Sequence, residues 1–426
     1  MEQLAKQNHN IKQQPQTAVL NKNCKYRSLV FTILERLQGA QLEVIEGDEH
    51  SIFGDREASL HAEIVIHDSS FFKDVVLNGS IGASEAYIDG KWTSPHLTRV
   101  IQIMARNQQQ LDELDDKTQW LSKIKNLFLR KQNANTEQGS KRNILAHYDI
   151  GNELYERFLD PSMQYSSAIY SEQATQLTDA QQNKMRTICE RLELTQEDSV
   201  VEIGTGWGGL AIFMAQNYGC HVTTTTISDA QHELAKQRIE ALGLSDKITL
   251  LKEDYRNLSG QYDKLVSIEM IEAVGHEYLQ TFFTTCSQLL KPTGKMLIQA
   301  ITIADGRYEK YRKGVDFIQK YIFPGGCLPS VAVMTGHLAQ STDLVVQEID
   351  DIGLHYARTL NDWNVAFEQS WDELQSLGYS EEFKRLWTFY FCYCEGAFLE
   401  RVISTHHIVA RKPRYYGAKD ETVLDY

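Results

Sequence analysis

The sequence predicts an α/β protein in which a doubly wound, mostly parallel seven-stranded sheet follows a small α+β domain. Three observations carry that prediction. At Val200–Gly209 (VVEIGTGWGG) a β-branched run breaks at a glycine cluster, and Leu210–Tyr218 continues as a helix with an apolar face at Leu210, Phe213 and Met214. Strand and helix patterns then alternate, with strands at His221–Thr226, Ile248–Leu251, Lys264–Ile268 and Lys295–Ile303, and helices at Asp229–Leu242 and Leu279–Leu290. After an aromatic-rich insertion over 304–336, strands at Asp343–Ile349 and His406–Arg411 complete the set, separated by helices Asn361–Leu377 and Glu381–Ile403.

The elbow between the first strand and helix is the most informative stretch. Glycines at Gly204, Gly206, Gly208 and Gly209 let backbone N–H groups and the helix start approach a nucleotide that a side chain would keep away. Gly204, Gly206 and Gly209 also satisfy G-x-G-x-x-G, so a dinucleotide competes as the ligand. Two details favour S-adenosylmethionine. Glu202, two residues before the first glycine, places a carboxylate where it can reach a cofactor ammonium group. The second strand ends in Thr226-Ile227-Ser228 rather than in the acidic residue that grips a dinucleotide ribose, and Asp229 reads as a helix start. Farther on, Pro292-Thr293-Gly294 reads as a tight turn into the apolar strand Met296–Ile303.

Upstream of the sheet, residues 1–26 are polar and Gln/Asn-rich and read as a loose terminus without the apolar core of a secretory signal. Residues 27–110 read as an accessory domain: a helix at Arg27–Leu37, short strands at Leu42–Ile45, Leu60–Ile66 and Val75–Leu77, then a mostly helical run over Ile81–Asn107. Over 111–142, Trp120, Ile124, Leu127 and Phe128 recur at helical spacing among Lys117, Lys123, Lys125, Arg130 and Lys131. A basic amphipathic helix on an anionic membrane and a linker helix packed on a neighbour fit this pattern equally. Residues 143–426 hold the sheet, opening on HYDIGNELYERFLDPSMQYSSAIY, which reads as a lid ahead of the first strand. His147 and Asp149 in it are a chemical pair or, more ordinarily, a hydrogen-bonded structural one.

A net charge of −14 argues against a nucleic-acid partner. Seven scattered cysteines offer neither a disulfide framework nor a paired zinc motif, and free thiols fit a reducing cytoplasm. No uncharged apolar run is long enough to span a bilayer.

Taken with VVEIGTGWGGLA, the stretches TTISDAQ, SIEMIEAVGHEYL, DFIQKYIFPGGCLPS, HYARTLNDW and YCEGAF, together with the lid segment, extend over roughly the last two thirds of the chain. In this order they resemble the cyclopropane-fatty-acyl-phospholipid synthase family, which includes mycolic acid cyclopropane synthases and acyl-chain methyltransferases. The resemblance implies a class I methyltransferase-like sheet with helical lid and insertion. It implies S-adenosylmethionine as cofactor and, as substrate, a cis-unsaturated acyl chain of a phospholipid at the inner membrane surface. A homodimer is allowed.

Carried over motif by motif, the cofactor is expected to touch Tyr165 and Ser166 from the lid, and Glu202, Gly204, Thr205, Gly206 and Gly208 at the elbow. Thr226, Ile227 and Gln231 would lie at the ribose, and Asp254 and Tyr255 at the adenine. The reaction passes through a carbocation, which aromatic faces such as Tyr308, Tyr321, Phe323, Tyr390 and Phe398 can stabilise without capturing it. A base must then take a proton so that the ring closes. In the family this base is a bound bicarbonate. Its cage maps onto Glu272, Tyr356 and the backbone amide of Ile301, with Ser167 in place of the usual Cys and Gln299 in place of the usual His. Both replacements can still donate to an anion. They leave open a methyl or methylene branch as the product, or a lipid-binding protein that no longer turns over; a methyltransferase for a soluble small molecule is a separate alternative.

Overall fold

The structure, a computed structural model, describes residues 25–108, 139 and 151–417. The amphipathic stretch and the His147–Asp149 pair lie outside the described residues. The described chain divides into two compact units, one of residues 25–108, 314–322 and 360–402 and the other of 151–313, 323–359 and 403–417.

The first unit is built on strands β1 (Gln41–Glu46), β2 (Glu49–Gly54), β3 (His61–Ile66) and β4 (Trp92–Thr93), in the order β2-β1-β3-β4. β2 went unread in the sequence because Phe53 is its only buried residue. Val75–Leu77, expected as a strand, lies inside helix Ser70–Ile88. Asp68 starts that helix by accepting from Ser70 N–H at 2.8 Å, and the apolar run then serves a helical face with Phe71 and Phe72. Within the same unit, helix Glu381–Leu399 packs on helix Leu97–Arg106, where Thr98 donates to Glu395 (2.7 Å). Gly396 permits this approach, since a Cβ there would stand 2.8 Å from Ile101 Cγ2.

The second unit holds the seven-stranded sheet: β5 (Ser199–Ile203), β6 (His221–Thr225), β7 (Ile248–Leu251), β8 (Tyr262–Ile268), β9 (Leu290–Ile303), β10 (Val345–Asp351) and β11 (Ile403–Arg411), ordered β10-β11-β9-β8-β5-β6-β7. β5 to β9 are parallel, and β11 runs against both its neighbours. Alternate residues feed two cores, which is why the central strands read as unbroken apolar runs. Val201, Leu265, Met296 and Ile298 join Phe282, Phe283 and Met334 on one face, while Val200, Val266, Leu297 and Val409 join Ile188, Leu210 and Met214 on the other.

Two local expectations change. Pro292-Thr293-Gly294 does not end a strand but sits within β9 as an irregularity, the pairing jumping from Tyr262↔Leu290 to Lys264↔Lys295. The helix expected from Asn361 begins at Gly353, whose N–H is received by Asp351 at 2.9 Å, so Tyr356 lies in its first turn. Among the described residues no helix is long and apolar enough to cross a membrane.

Candidate active site

The strand order reverses beside β5, and in open α/β sheets the crevice outside the carboxyl ends at that point is where ligands bind. Gly204, Gly206 and Gly208 all have positive φ (105°, 52° and 84°), a turn that side-chain-bearing residues resist. The N–H groups of Gly204 and Thr205 are tied to Thr225 O at 3.1 and 3.0 Å, fixing the elbow against β6. Glu202 is buried, and Thr224 Oγ1 donates to its Oε2 at 2.6 Å. Burial pushes the Glu202 carboxyl up to about 8 against that single hydrogen bond. Such a group suits a cationic ligand, because an ammonium placed beside it restores the ionised form. After β6, Thr226 Oγ1 donates to Gln231 Oε1 (2.9 Å), and Ser228 caps the next helix by accepting from Gln231 N–H (3.3 Å), with half-buried Ile227 between them.

After β7, Asp254 accepts from Arg256 Nε and Nη2 at 2.8 and 2.6 Å. Burial works against its charge, but the Arg256 fork and backbone N–H hold the carboxyl below its ordinary value. Both its oxygens accept from Arg256, and the ionised carboxylate keeps acceptor capacity for a further donor. The Tyr255 ring meets Phe282 edge-on at 5.5 Å.

The lid segment is pinned from below by helix Leu177–Leu192. Gln181 Nε2 donates to Ser166 O (2.9 Å), and Lys184 Nζ donates to Ser166 Oγ (2.7 Å) and Gln164 Oε1 (3.0 Å). Lys184 is wholly buried, and burial lowers its pKa to about 8 although Glu269 and Asp160 raise it. The Tyr165 ring stands 5.3 Å from Tyr155 and 6.3 Å from Phe323.

The expected anion cage gathers at the ends of β8 and β9, around a residue the sequence did not single out. Glu269 Oε1 accepts from Ser167 N–H (3.0 Å) and Gln299 Nε2 (2.7 Å), and Oε2 accepts from the Tyr356 hydroxyl (2.8 Å). Glu272 Oε1 accepts from Ile301 N–H (2.5 Å), while its buried Oε2 has no hydrogen-bond partner among the described residues. Burial, then the charge of Glu269, pushes Glu272 up to about 8. Burial raises Glu269 as well, against its three donors and Lys184. Ser167, Gln299, Tyr356, Glu272 and Ile301 are thus brought together, but the donors of Ser167, Gln299, Tyr356 and Ile301 are spent on Glu269 and Glu272. The set does not fit an additional bicarbonate.

Behind Gln299, His407 Nε2 lies 2.8 Å from Gln299 Oε1, and Arg191 Nη1 lies 2.6 Å from His407 Nδ1. A usable signal for the lid contacts was the spacing of Gln181, Lys184 and Ile188, which puts two polar residues on a buried helical face. Of the candidate aromatics, Tyr308 and Phe323 belong to this unit, Tyr308 bonding His276 Nδ1 at 2.6 Å. Tyr321, Tyr390 and Phe398 belong to the first unit, where the Tyr321 hydroxyl bonds Glu85.

Comparison with known proteins bears on this arrangement. Residues 135–408 match the family model for mycolic acid cyclopropane synthetase. The chain is 38% identical over 361 residues to the cyclopropane-fatty-acyl-phospholipid synthase of Escherichia coli, covering 82% of this chain and 88% of that one. It is also 38% identical over 329 residues to a tuberculostearic acid methyltransferase of Mycobacterium tuberculosis, covering 75% and 76%. Among solved structures, a mycolic acid cyclopropane synthase complexed with SAH and CTAB superimposes with a TM-score of 0.60 at 26% identity, over 64% of this chain and 98% of that one. The seven-stranded class I methyltransferase sheet and the resemblance read from the motifs are both borne out, and the chain belongs to the mycolic acid cyclopropane synthetase family.

Proposed function

We propose that this chain transfers the methyl group of S-adenosylmethionine to a cis double bond of an unsaturated phospholipid acyl chain and closes a cyclopropane ring. The observation that carries this reading is the buried acid pair Glu269–Glu272, at the carboxyl end of β8 beside the glycine elbow of β5. An enzyme of this family needs a cofactor cleft and a proton acceptor in one water-poor place.

When bound, S-adenosylmethionine supplies an electrophilic methyl group. Glu202, Gly204, Thr205, Gly206 and Gly208 would hold its amino-acid end, Thr226, Ile227 and Gln231 its ribose, and Tyr255 its base; Tyr165 and Ser166 would cover it from the lid. Asp254, oriented by its pairing with Arg256, would lie at the base beside Tyr255. An unactivated alkene is a weak nucleophile, so the protein contributes by aligning the reactants and excluding water. Aromatic rings of the unit, Tyr308 and Phe323 among them, suit a transient cation.

Residues 25–108, with 314–322 and 360–402, form an accessory unit, and the chain works as a cytoplasmic protein at the inner face of a membrane, with a homodimer allowed. The tuberculostearic acid methyltransferase relative supports a second product, a methyl or methylene branch. Mass spectrometry of acyl chains, after incubating unsaturated phospholipid vesicles with protein and S-adenosylmethionine, separates these readings. A gain of one methylene unit that resists hydrogenation supports the ring, and the same gain in a chain that takes up hydrogen supports a methylated alkene. Activity confined to soluble acceptors, or cofactor binding with no methyl incorporation, overturns the proposal.

A further inference from the structure

We propose that the carboxylate of Glu269 stands where the family resemblance calls for a bound bicarbonate, and that it accepts the proton released as the ring closes. This rests on the reading above, that the site builds a ring from an acyl-chain alkene.

Three groups expected to cage the anion donate instead to this one side chain: Ser167 N–H, Gln299 Nε2 and the Tyr356 hydroxyl, at 3.0, 2.7 and 2.8 Å. The fourth donor, Ile301 N–H, is taken by Glu272. A free bicarbonate here would bring a second negative charge against the Glu269 carboxylate and find the Ser167, Gln299 and Tyr356 donors already used.

The two departures from the family's cage make sense beside Glu269. Gln299 accepts from His407 through its carbonyl oxygen and donates to Glu269 through its amide nitrogen, so both ends are matched. Ser167 serves through its backbone N–H, while its hydroxyl donates to Ala168 O at 3.0 Å. The backbone also marks position 269 as special. Glu269 is held at φ +50°, in the left-handed region that disfavours a side chain, with its N–H fixed on Gln299 O at 2.8 Å. A glycine would sit there with less strain, and the chain keeps a glutamate.

The step balances without an outside reagent. The alkene π pair forms the bond to the methyl carbon as the carbon–sulfur bond breaks, with its electrons leaving on sulfur. A C–H bond of that same carbon then breaks, its electron pair closes the ring onto the cationic carbon, and the proton goes to a Glu269 oxygen. From there it passes to solvent before the next turnover.

The test uses the full chain, cis-unsaturated phospholipid vesicles and S-adenosylmethionine in carbonate-free buffer, with bicarbonate or formate added back. Wild-type turnover should not respond to bicarbonate. Glu269→Gly, which empties the space on a favourable backbone, should lose at least about 100-fold and recover with added anion. Glu269→Gln, which fills the space without a base, should lose as much and not recover. Binding of ¹³C-bicarbonate followed by NMR should be seen for Glu269→Gly and not for wild type, whether or not either protein turns over. Circular dichroism and cofactor affinity establish that the variants fold. Bicarbonate-dependent wild-type turnover, bicarbonate bound to wild type, or full activity of Glu269→Gln without carbonate would each overturn the proposal. Absence of product from every protein, with the binding contrast intact, would instead sink the acyl-chain reading and leave the anion replacement standing.

Discussion

Arg191 Nη1 faces His407 Nδ1 at 2.6 Å, and because a guanidinium can only donate, that ring nitrogen is the acceptor. The imidazole proton therefore sits on Nε2, which donates to Gln299 Oε1 and turns the Gln299 amide nitrogen toward Glu269. Burial, with the charges of Arg191 and Lys184, keeps His407 well below its ordinary value, in keeping with a neutral ring. One buried line of hydrogen bonds thus sets the orientation of the acid.

Breaking that line behind Gln299 should cost rate more than cofactor binding. His407→Ala is expected to lower kcat by about 10- to 100-fold, since small misplacements of reacting groups carry penalties of that order. It should also remove about 1–3 kcal/mol of stability by leaving a buried amide oxygen without its donor. Steady-state kinetics with cofactor titration and urea melts check both, and unchanged kcat would show that the line orients nothing of consequence.

Glu272 holds Ile301 N–H on one oxygen and keeps the other buried. Glu272→Ala should reduce single-turnover methyl transfer by at least about 100-fold while changing cofactor affinity by less than about twofold. Retained turnover would remove Glu272 from the chemistry.

Stability of the ligand-free protein should depend on pH through Glu202. Its carboxyl is raised in the folded state to about 8 from an ordinary 4.5, so the folded protein keeps a proton that the unfolded chain releases. The stabilisation is full below about 4.5 and is lost as pH rises toward 8. Glu272, also raised to about 8, acts in the same direction and window, while Lys184, lowered to about 8 from 10.5, acts above it and in the opposite direction, adding stability as pH rises from about 8 to 10.5. Glu202→Gln is expected to flatten the fall between those limits by up to about 1.4 kcal/mol per pH unit. Denaturant titrations at several pH values measure it, and an unchanged slope would contradict a buried neutral acid.

The elbow and the lid meet at Gly209, where a Cβ would stand 2.3 Å from Ser162 O and 2.5 Å from Gln164 Nε2. Gly209→Ala should destabilise by about 1–3 kcal/mol and weaken cofactor binding by displacing the lid. Calorimetry with and without S-adenosylmethionine tests this; equal melting curves would mean that the segment yields freely.

The central sheet was legible because its strands are short apolar or β-branched runs set between helical patterns, and the glycine elbow fixes where the first one stops. The positions of Glu272, Gln299, Tyr356, Ser167 and Ile301 were legible through their motifs, and the structure brings all five together. Glu269 was not, because a glutamate at a strand end ordinarily reads as a solvated turn residue, and nothing local announces three donors arriving from distant segments. Lys184 escaped notice for a similar reason, since a lysine in a helical pattern is normally solvated. Val75–Leu77 misled in the opposite direction, as three apolar residues fit a strand or a helix equally until the turn that Asp68 makes with Ser70 N–H starts a helix ahead of them.

The reversed strand β11 pairs His407 directly opposite Gln299 on β9. It is the last strand in chain order, so the ring that orients Gln299 comes from outside the parallel strand–helix succession that builds the cofactor crevice.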